Sequence, residues 1–371
     1  MVDPNVQNFA KIIVNYSTRV QPGEKVAIRG FPLTNAATPL IYAVTEEVLK
    51  AGGYPHLLMT PPEYRDLLFK HANDDQLSYI NPFQQMIMED FDVDIRISSA
   101  ENTKSLSGVD PDRLNLTRSA YYDLLQTWFQ RSAQGTMRWL TTRYPTQAYA
   151  QEAEMSLREY KQFFYSSCFA DREDPLGAFK QMASEQAEIV QLFQGGDRVV
   201  FSGSDIDLSL SIKERPFITC AGDNNLPDGE IYCGPVEESA EGWVRFSFPC
   251  IYLGNKVEAV ELEFKEGKVV EARAAKNEDY LRKTLEVDEG ASRIGEFGIG
   301  LNAAIDRFTG SMLFDEKIAG TIHFALGAGY PESGSTNKSS IHWDMLVDMR
   351  ADSEIKVDGE MVYSDGNFRK K

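Results

Sequence analysis

The feature that most constrains the fold is a change in hydrophobic period partway along the chain. In the first half, apolar stripes with a helical repeat alternate with short apolar strands. After the pair Gly195-Gly196 the period becomes two, as in the alternation of apolar and polar residues from Ile206 to Ile212. A period of two is typical of half-buried strands. We therefore predict a strand-rich second half behind an α/β first half.

The first half is predicted to form a parallel sheet with helices on both faces. Its expected elements are a helix around 9–16, a strand at 25–28, a helix with Thr38 as N-cap and Gly52 after its end, strands at 55–59 and 91–97, and helices over about 112–131, 151–169 and 178–193. This order of elements favours a parallel sheet. The turns contain neither G-x-G-x-x-G nor G-x-x-x-x-G-K-[ST], so we expect no nucleotide site.

Length and composition are consistent with two globular domains. The chain has 371 residues, of which 42% are hydrophobic, enough for a sizeable core. We predict an α/β N-terminal domain at 1–195 and a strand-rich α+β metal-binding domain at 196–371. Within the second domain, Val260 to Ala272 is predicted to form a hairpin that turns at Glu266-Gly267, and a single helix is expected at about 279–287.

Charge and cysteine content exclude several classes of protein. The 38 basic and 56 acidic residues give a formal charge of -18, which argues against a nucleic-acid partner. The first twenty residues lack the pattern of a signal peptide, and no apolar run approaches the ~18 residues that cross a bilayer. We therefore expect a cytoplasmic protein that does not insert into a membrane. Four cysteines without a C-x-x-C pair indicate neither disulfides nor a thiolate zinc site.

Imidazole and carboxylate side chains in the second half are candidate metal ligands. His342 and Asp344 stand at i and i+2 in a strand-like segment, so they point to one face and together suit zinc, cobalt or manganese. His323 lies in an apolar stretch, where a buried imidazole needs a hydrogen-bond partner or a metal. Glu296 lies among glycines and apolar residues, whereas Glu230 follows a turn and, taken alone, is typical of a surface carboxylate.

Histidines also occur in the first half, at positions 56 and 71. His56 ends a predicted strand and His71 a short predicted helix. A lone histidine in such a place is more typical of a structural or surface residue than of a metal ligand. The candidate ligands are therefore confined to the second half, although no single one of them establishes a metal site.

The same residues fall in segments that resemble a known family. The segments are Asn-Leu-Pro-Asp-Gly-Glu-Ile-Tyr at 225–232, Ile-Gly-Glu-Phe-Gly-Ile-Gly at 294–300, Phe-Asp-Glu-Lys-Ile-Ala-Gly-Thr-Ile-His-Phe-Ala-Leu-Gly-Ala-Gly-Tyr-Pro at 314–331 and Ser-Ile-His-Trp-Asp-Met at 340–345. In order, spacing and local context they are similar to the M29 metallo-aminopeptidases, the aminopeptidase T, PepS and AmpS group. The resemblance implies a two-metal exopeptidase with an α/β first domain, a mostly β second domain and a homodimer.

The resemblance also assigns roles to individual residues. The implied ligands of two divalent ions are Glu230, Glu296, His323, His342 and Asp344. Glu296 is the expected bridge, because a carboxylate has two oxygens to share between two ions. The family's functional tyrosine falls on Tyr330, the expected donor to the oxyanion, and its carboxylate before the histidine falls on Glu316, as general base or auxiliary ligand, with Asp315 adjacent. Which ligand serves which ion stays open.

The resemblance implies peptide substrates that carry a free N-terminus. Two alternatives remain at this point. One is another dinuclear metallohydrolase, such as an N-acyl-amino-acid deacylase or a carboxypeptidase, which would use the same ions on a substrate with a different end. The other is a binding protein with structural metals, although open coordination positions argue against it, because structural zinc sites are usually closed.

Overall fold

A computed structural model describes residues 3–369. Its α-helices are α1 (Pro4–Lys11), α2 (Thr38–Lys50), α3 (Tyr64–His71), α4 (Asp74–Leu77), α5 (Pro82–Asp90), α6 (Pro111–Ala120), α7 (Tyr122–Ala133), α8 (Gln147–Glu152), α9 (Leu157–Ser167), α10 (Pro175–Phe193), α11 (Glu278–Leu285) and α12 (Met312–Asp315). A π-helix, Ile12–Ser17, continues α1, and a 3-10 helix, Asn35–Ala37, precedes α2. No helix within residues 3–369 is long and apolar enough to cross a membrane.

The strands become more frequent in the second half, as the change in period predicts. They are β1 (Lys25–Gly30), β2 (Tyr54–Met59), β3 (Val93–Ser98), β4 (Arg138–Arg143), β5 (Arg198–Gly203), β6 (Ile206–Ser211), β7 (Ile218–Cys220), β8 (Asn225–Leu226), β9 (Glu230–Cys233), β10 (Glu241–Arg245), β11 (Cys250–Tyr252), β12 (Asn255–Val257), β13 (Glu261–Lys265), β14 (Lys268–Arg273), β15 (Ile294–Gly300), β16 (Thr321–Gly327), β17 (His342–Asp348), β18 (Ser353–Val357), β19 (Glu360–Ser364) and β20 (Asn367–Phe368).

The chain forms two compact units. The first extends to Ala178 and includes Gly222–Pro227, and the second comprises Phe179–Ala221 and the chain from Asp228 onward. The division lies inside α10, whereas the predicted boundary lies at the end of that helix. Gly222–Pro227 belongs to the first unit because β8 adds a strand to that unit's sheet, next to β4.

The first unit is built on a five-stranded sheet with the order β2-β1-β3-β4-β8, and every neighbouring pair in it is parallel. The parallel sheet predicted from the order of helices and strands is thus confirmed. The central strands are apolar and buried at positions such as Val26, Ile28 and Ile95. Such buried runs are typical of parallel sheets.

Three details of the first unit differ from the sequence-based expectation. Thr38 is not the N-cap of α2 but its first residue, because the 3-10 helix runs directly into it. The long helix expected at 112–131 is divided into α6 and α7, of which only α7 buries side chains, Leu124 and Trp128. The helix expected from 151 begins at Leu157, because Ser156 and Glu159 form a capping box there.

The second unit is strand-rich, as predicted. It contains an eight-stranded sheet, β14-β13-β10-β6-β5-β18-β19-β20, the hairpin β11-β12, and a five-stranded sheet, β17-β16-β15-β9-β7, which we call the site sheet. The predicted hairpin is confirmed as β13 and β14, with Glu266 and Gly267 both at positive φ in its turn. The four cysteines of the chain are free.

The core of the second unit lies between the eight-stranded sheet and the site sheet. Phe201 of β5 packs edge-on against Phe297 of β15 at 5.0 Å and against Phe324 of β16 at 5.4 Å between ring centroids. All three rings are fully buried. Because side chains alternate along a strand, the neighbours of Phe297 and Phe324 must point to the opposite face of the site sheet. That face carries the candidate ligands.

Candidate metal centre

One face of the site sheet brings the five predicted ligands to neighbouring strands. They are His342 and Asp344 on β17, His323 on β16, Glu296 on β15 and Glu230 on β9. Each lies beside a residue of the hydrophobic core: Trp343, Phe324, Phe297 and Ile231. The alternation that buries these apolar side chains against the eight-stranded sheet therefore directs the ligands to the other face.

Small residues on the ligand face leave room for the long polar side chains. Ala325 lies between Glu296 and Asp344 in one cross-strand row, and Gly298 lies directly opposite His323. A Cβ atom on Gly298 would be 2.1 Å from His323 Nε2 and 2.2 Å from its Cε1. The imidazole thus occupies the space that a side chain at position 298 would fill.

The tightest part of the cluster consists of Glu296, His323 and Asp344. One ligand atom from each lies within 4.8 Å of the others, and all three residues are buried. His323 Nε2 is 3.3 Å from Glu296 Oε1 and 3.4 Å from Glu230 Oε2. Burial lowers the pKa of His323, but the hydrogen bond to Glu296 and the charges of Glu230 and Asp344 outweigh burial and raise that pKa to about 9.

Several buried oxygens of this cluster lack a hydrogen-bond partner among residues 3–369: Glu230 Oε2, Glu296 Oε2 and Asp344 Oδ1. A buried carboxylate oxygen without a partner is costly, so a bound cation is the physical explanation that fits all three. Carboxylate and imidazole donors suit zinc, cobalt and manganese. The residues present therefore fit a divalent metal centre.

His342 is oriented by the backbone. Its Nδ1 donates a hydrogen bond to the Ala328 carbonyl at 2.7 Å, which leaves Nε2 facing Asp344 Oδ2 at 3.5 Å. Such a hydrogen bond on the far nitrogen is the usual way in which a metal-binding histidine is held. Burial lowers the pKa of His342 and raises that of Asp344, but their mutual attraction dominates and places the pKa of Asp344 at about 2 and that of His342 well above its ordinary value.

Glu230 is buried, contrary to the surface position that its local sequence indicates. Only 5% of it is exposed, because β9 runs between β15 and β7 in the site sheet. It also belongs to a second group with Cys220 and Asp228, whose candidate ligand atoms lie within 4.8 Å of one another. The centre thus extends from β17 across four strands to β9 and its preceding turn.

Glu316 lies at the end of α12 and contacts Lys317, whose ammonium is also 3.2 Å from Glu230 Oε1. Burial and the charges of Glu230 and Asp344 raise the pKa of Glu316 while Lys317 lowers it, to a net value of about 7. The adjacent Asp315 has another function, because its Oδ1 accepts hydrogen bonds from the Thr309 amide and hydroxyl, both at 2.7 Å. Glu316 is linked through Lys317 to Glu230 of the cluster.

Tyr330 lies at the edge of the centre. Its ring is 5.3 Å from the His342 ring and 5.7 Å from the Tyr232 ring, and 38% of the residue is exposed. A partly exposed tyrosine beside the candidate ligand His342 can reach both solvent and the centre. In the first unit, His56 bonds the Tyr54 carbonyl through Nδ1 at 2.8 Å.

Sequence reasoning missed two residues of the centre, Lys317 and Gly298. Lys317 is fully buried, although the residue type is almost always exposed. Its position directly after Asp315 and Glu316, between the apolar residues Phe314 and Ile318, is the local signal. Gly298 belongs to the Gly-Glu-Phe-Gly-Ile-Gly segment, but its partner His323 becomes known only from the register of β15 and β16.

Comparison with known proteins gives a metalloprotease family and relatives that are named aminopeptidases. Residues 2–368 match the family described as Thermophilic metalloprotease (M29). Aminopeptidase 2 of Geobacillus stearothermophilus is 24% identical over 99% of this chain and 98% of its own length, and aminopeptidase T of Thermus thermophilus is 28% identical over 72% of each.

Two solved structures resemble the fold. Wild-type AmpT from Thermus thermophilus superposes with a TM-score of 0.83 at 20% identity over 98% of both chains. A 2,5-dihydroxypyridine dioxygenase from Pseudomonas putida KT2440 superposes with a TM-score of 0.60 at 16% identity over 100% of this chain and 99% of its own. Since an oxygenase shares the fold, the fold by itself does not specify the reaction.

Proposed function

The chain belongs to the M29 family of metalloproteases, and we propose that it is a metallo-aminopeptidase that releases N-terminal amino acids from peptides. The observation that carries the proposal is the buried donor set of Glu296, His323 and Asp344, in which two carboxylate oxygens lack hydrogen-bond partners within the described chain. The relatives named as aminopeptidases support the same reaction. All residues proposed for the site lie in the predicted second domain, 196–371, which we propose is the catalytic one.

We propose that this domain holds two divalent ions, zinc, cobalt or manganese. The proposed ligands are Glu230, Glu296, His323, His342 and Asp344. Their position on one face of the site sheet, where all but the partly exposed His342 are buried, supports this set. Ions bound there would supply Lewis-acid activation of a water molecule and of the scissile carbonyl. Glu296 is proposed to bridge, since its Oε1 faces His323 while its Oε2 has no hydrogen-bond partner among residues 3–369.

The other side chains of the site would transfer a proton, stabilise the oxyanion and orient a ligand. Glu316, with a pKa of about 7, is suited to accept a proton near neutral pH, which makes it the proposed general base. Tyr330 is proposed to donate its hydroxyl hydrogen bond to the oxyanion of the tetrahedral intermediate. His342 is held by Ala328, so its Nε2 stays directed at the centre.

Exopeptidase action would follow from recognition of the free α-amine by the metal centre or by a nearby carboxylate. The test compares leucine p-nitroanilide with its N-acetylated form, using chelator-stripped protein resupplied with zinc, cobalt or manganese. We expect metal-dependent cleavage of the free-amine substrate only. Preference for the acetylated substrate would instead indicate a deacylase. No cleavage at any metal load would indicate a binding protein, and chelation should then unfold the domain.

We further propose that the protein is a cytoplasmic homodimer. The family resemblance supports the dimer, and the absence of a membrane-spanning helix within residues 3–369 is compatible with a cytoplasmic location. Light scattering coupled to size-exclusion chromatography measures the mass directly. A mass of one 41.7 kDa chain at micromolar concentration would contradict the dimer.

A further inference from the structure

The proposed metal centre already contains a cation of the protein itself, the ammonium group of Lys317. The lysine side chain has no solvent exposure. Its Nζ lies 3.2 Å from Glu230 Oε1 and contacts Glu316 Oε1. A buried ammonium cannot be hydrated, so it depends on these carboxylates for its partners. The nearby carboxylate of Asp228 is also buried, at 1% exposure, and adds negative charge beside the lysine.

The part of the centre around His323 and the part around Lys317 therefore differ in which carboxylate oxygens are available to coordinate an ion. Around His323, Glu296 Oε2 and Asp344 Oδ1 have no hydrogen-bond partner within the described chain. Around Lys317, by contrast, one oxygen of Glu230 and one of Glu316 are already paired with the ammonium. An ion that binds in the first half fills empty coordination positions. An ion in the second half must compete with a charge that is already there.

We propose that the Lys317 ammonium, which contacts Glu230 and Glu316, holds the position of the second divalent ion and competes with it for the proposed ligand Glu230. This inference rests on the proposed metal centre and adds an order of binding. The first ion binds at Glu296, His323 and Asp344, and the second binds only where it displaces the ammonium. A lysine is suited to this exchange, because its charge sits at the end of a flexible four-carbon stem.

Metal titration of the chelator-stripped protein tests the proposal without reference to catalysis. Cobalt and zinc are titrated by calorimetry, and cobalt also by its visible absorption. For the wild type we expect two binding steps, the second weaker by at least about tenfold. In Lys317→Met, a neutral side chain of similar length, the second step should tighten by at least about tenfold, while the first changes by less than about threefold.

Two further variants complete the design. Lys317→Gln removes the charge but keeps a hydrogen-bond donor, and it should tighten the second step like Lys317→Met does. It also serves if the methionine variant does not fold. Lys356→Met is the matched control, because this lysine of β18 is paired with Glu354 at 2.8 Å but is 38% exposed in the eight-stranded sheet. Both binding steps should be unchanged in the control.

If the titration shows that the wild type binds two ions with the same affinity, the proposal is overturned. Unchanged second-step affinity in both folded Lys317 variants would overturn it as well. The anilide assay separates this result from the proposed function. Unequal steps without hydrolysis would contradict the aminopeptidase and leave the competition intact, whereas metal-dependent hydrolysis with equal steps would contradict only the competition.

Discussion

Each unit of the molecule buries charged side chains, but the two clusters are partnered in opposite ways. In the first unit, Asp94 has no solvent exposure and is saturated by arginine: Arg29 Nε donates to it at 2.7 Å and Arg96 Nε at 3.0 Å. The Arg96 guanidinium also stacks 4.4 Å over the Trp128 ring. In the second unit, Glu230, Glu296 and Asp344 each keep an oxygen without a hydrogen-bond partner among residues 3–369.

Buried charges that stabilise the fold can be told from buried charges that bind a ligand by whether their carboxylate oxygens are already paired within the chain. The Asp94 cluster has both carboxylate oxygens paired once the chain folds, although Arg96 Nη2 has no hydrogen-bond partner among residues 3–369, and removal of the carboxylate charge leaves the arginines uncompensated. A cluster with excess carboxylate oxygens is complete only when something else binds. Burial alone is the same in both places and therefore does not discriminate between them.

The largest effect on function is expected from Glu296→Gln. Because this change removes charge from the proposed bridging ligand, kcat/KM should fall by more than about 10³-fold, with lower metal occupancy. The metal-free variant should be at least as stable as the wild type, since a buried and incompletely partnered charge has been removed. Anilide hydrolysis, metal content and urea unfolding measure the three quantities. Full occupancy with full activity would refute the bridging role.

Glu263→Gln is the matched control for that variant. Glu263 lies on β13 of the eight-stranded sheet and is exposed. We expect activity, metal content and stability close to those of the wild type. A loss of activity equal to that of Glu296→Gln would show that general charge, rather than the ligand position, determines the outcome.

The largest effect on stability is expected in the other cluster, from Asp94→Asn. Loss of the charge leaves the partly buried Arg29 and Arg96 without their counterion, so the free energy of unfolding should fall by about 3 kcal/mol, the lower end for a buried pair. Metal stoichiometry should not change. Urea unfolding and metal analysis test this, with the exposed Asp90→Asn as control. If Asp94→Asn lowers metal content while stability is kept, the two clusters do not differ as described.

The fold was predictable where local pattern determines structure. Alternation along 206–212 and the hairpin at Glu266-Gly267 are decided by neighbours in sequence, and both are present. Strand β4 was not predicted, because Arg138 to Arg143 is largely polar. It becomes a strand of the sheet by pairing in parallel with β3. The assignment of Gly222–Pro227 to the first unit also depends on a distant part of the chain, since β8 is a strand only because it pairs with β4.

The same distinction applies to the candidate site. His342 and Asp344 share a face because of the strand period, which can be read from two residues. Glu230 looked exposed, because its burial depends on β15 and β7 on either side of it. Lys317 could not be assigned at all, since its partner Glu230 is 87 positions away in the chain. Local chemistry and the family resemblance thus indicate candidate ligands, and only the register shows which residues surround them.

A smaller loss is expected from Tyr330→Phe. If the hydroxyl donates to the oxyanion, its removal should lower kcat/KM by about 10²-fold while metal content and stability are kept. The ring would still pack beside His342, so the donor set should be undisturbed. Anilide kinetics with metal analysis measure both effects, and Tyr42→Phe on α2, 69% exposed, is the control. Unchanged kcat/KM would remove Tyr330 from the mechanism.

The smallest change concerns a single methyl group, in Gly298→Ala. Its Cβ would lie 2.1 Å from His323 Nε2, so the imidazole must turn away from Glu296, and affinity for the first ion should fall by about tenfold or more. Gly53→Ala is the matched variant in the first unit, where the new Cβ would meet Val20 Cγ1 at 2.8 Å. It should cost about 1–3 kcal/mol of stability and leave metal affinity unchanged. Since both variants place a Cβ closer than 3.0 Å to a neighbouring side chain, a loss of metal affinity in both would mean that general strain, and not the displaced histidine, weakens the centre.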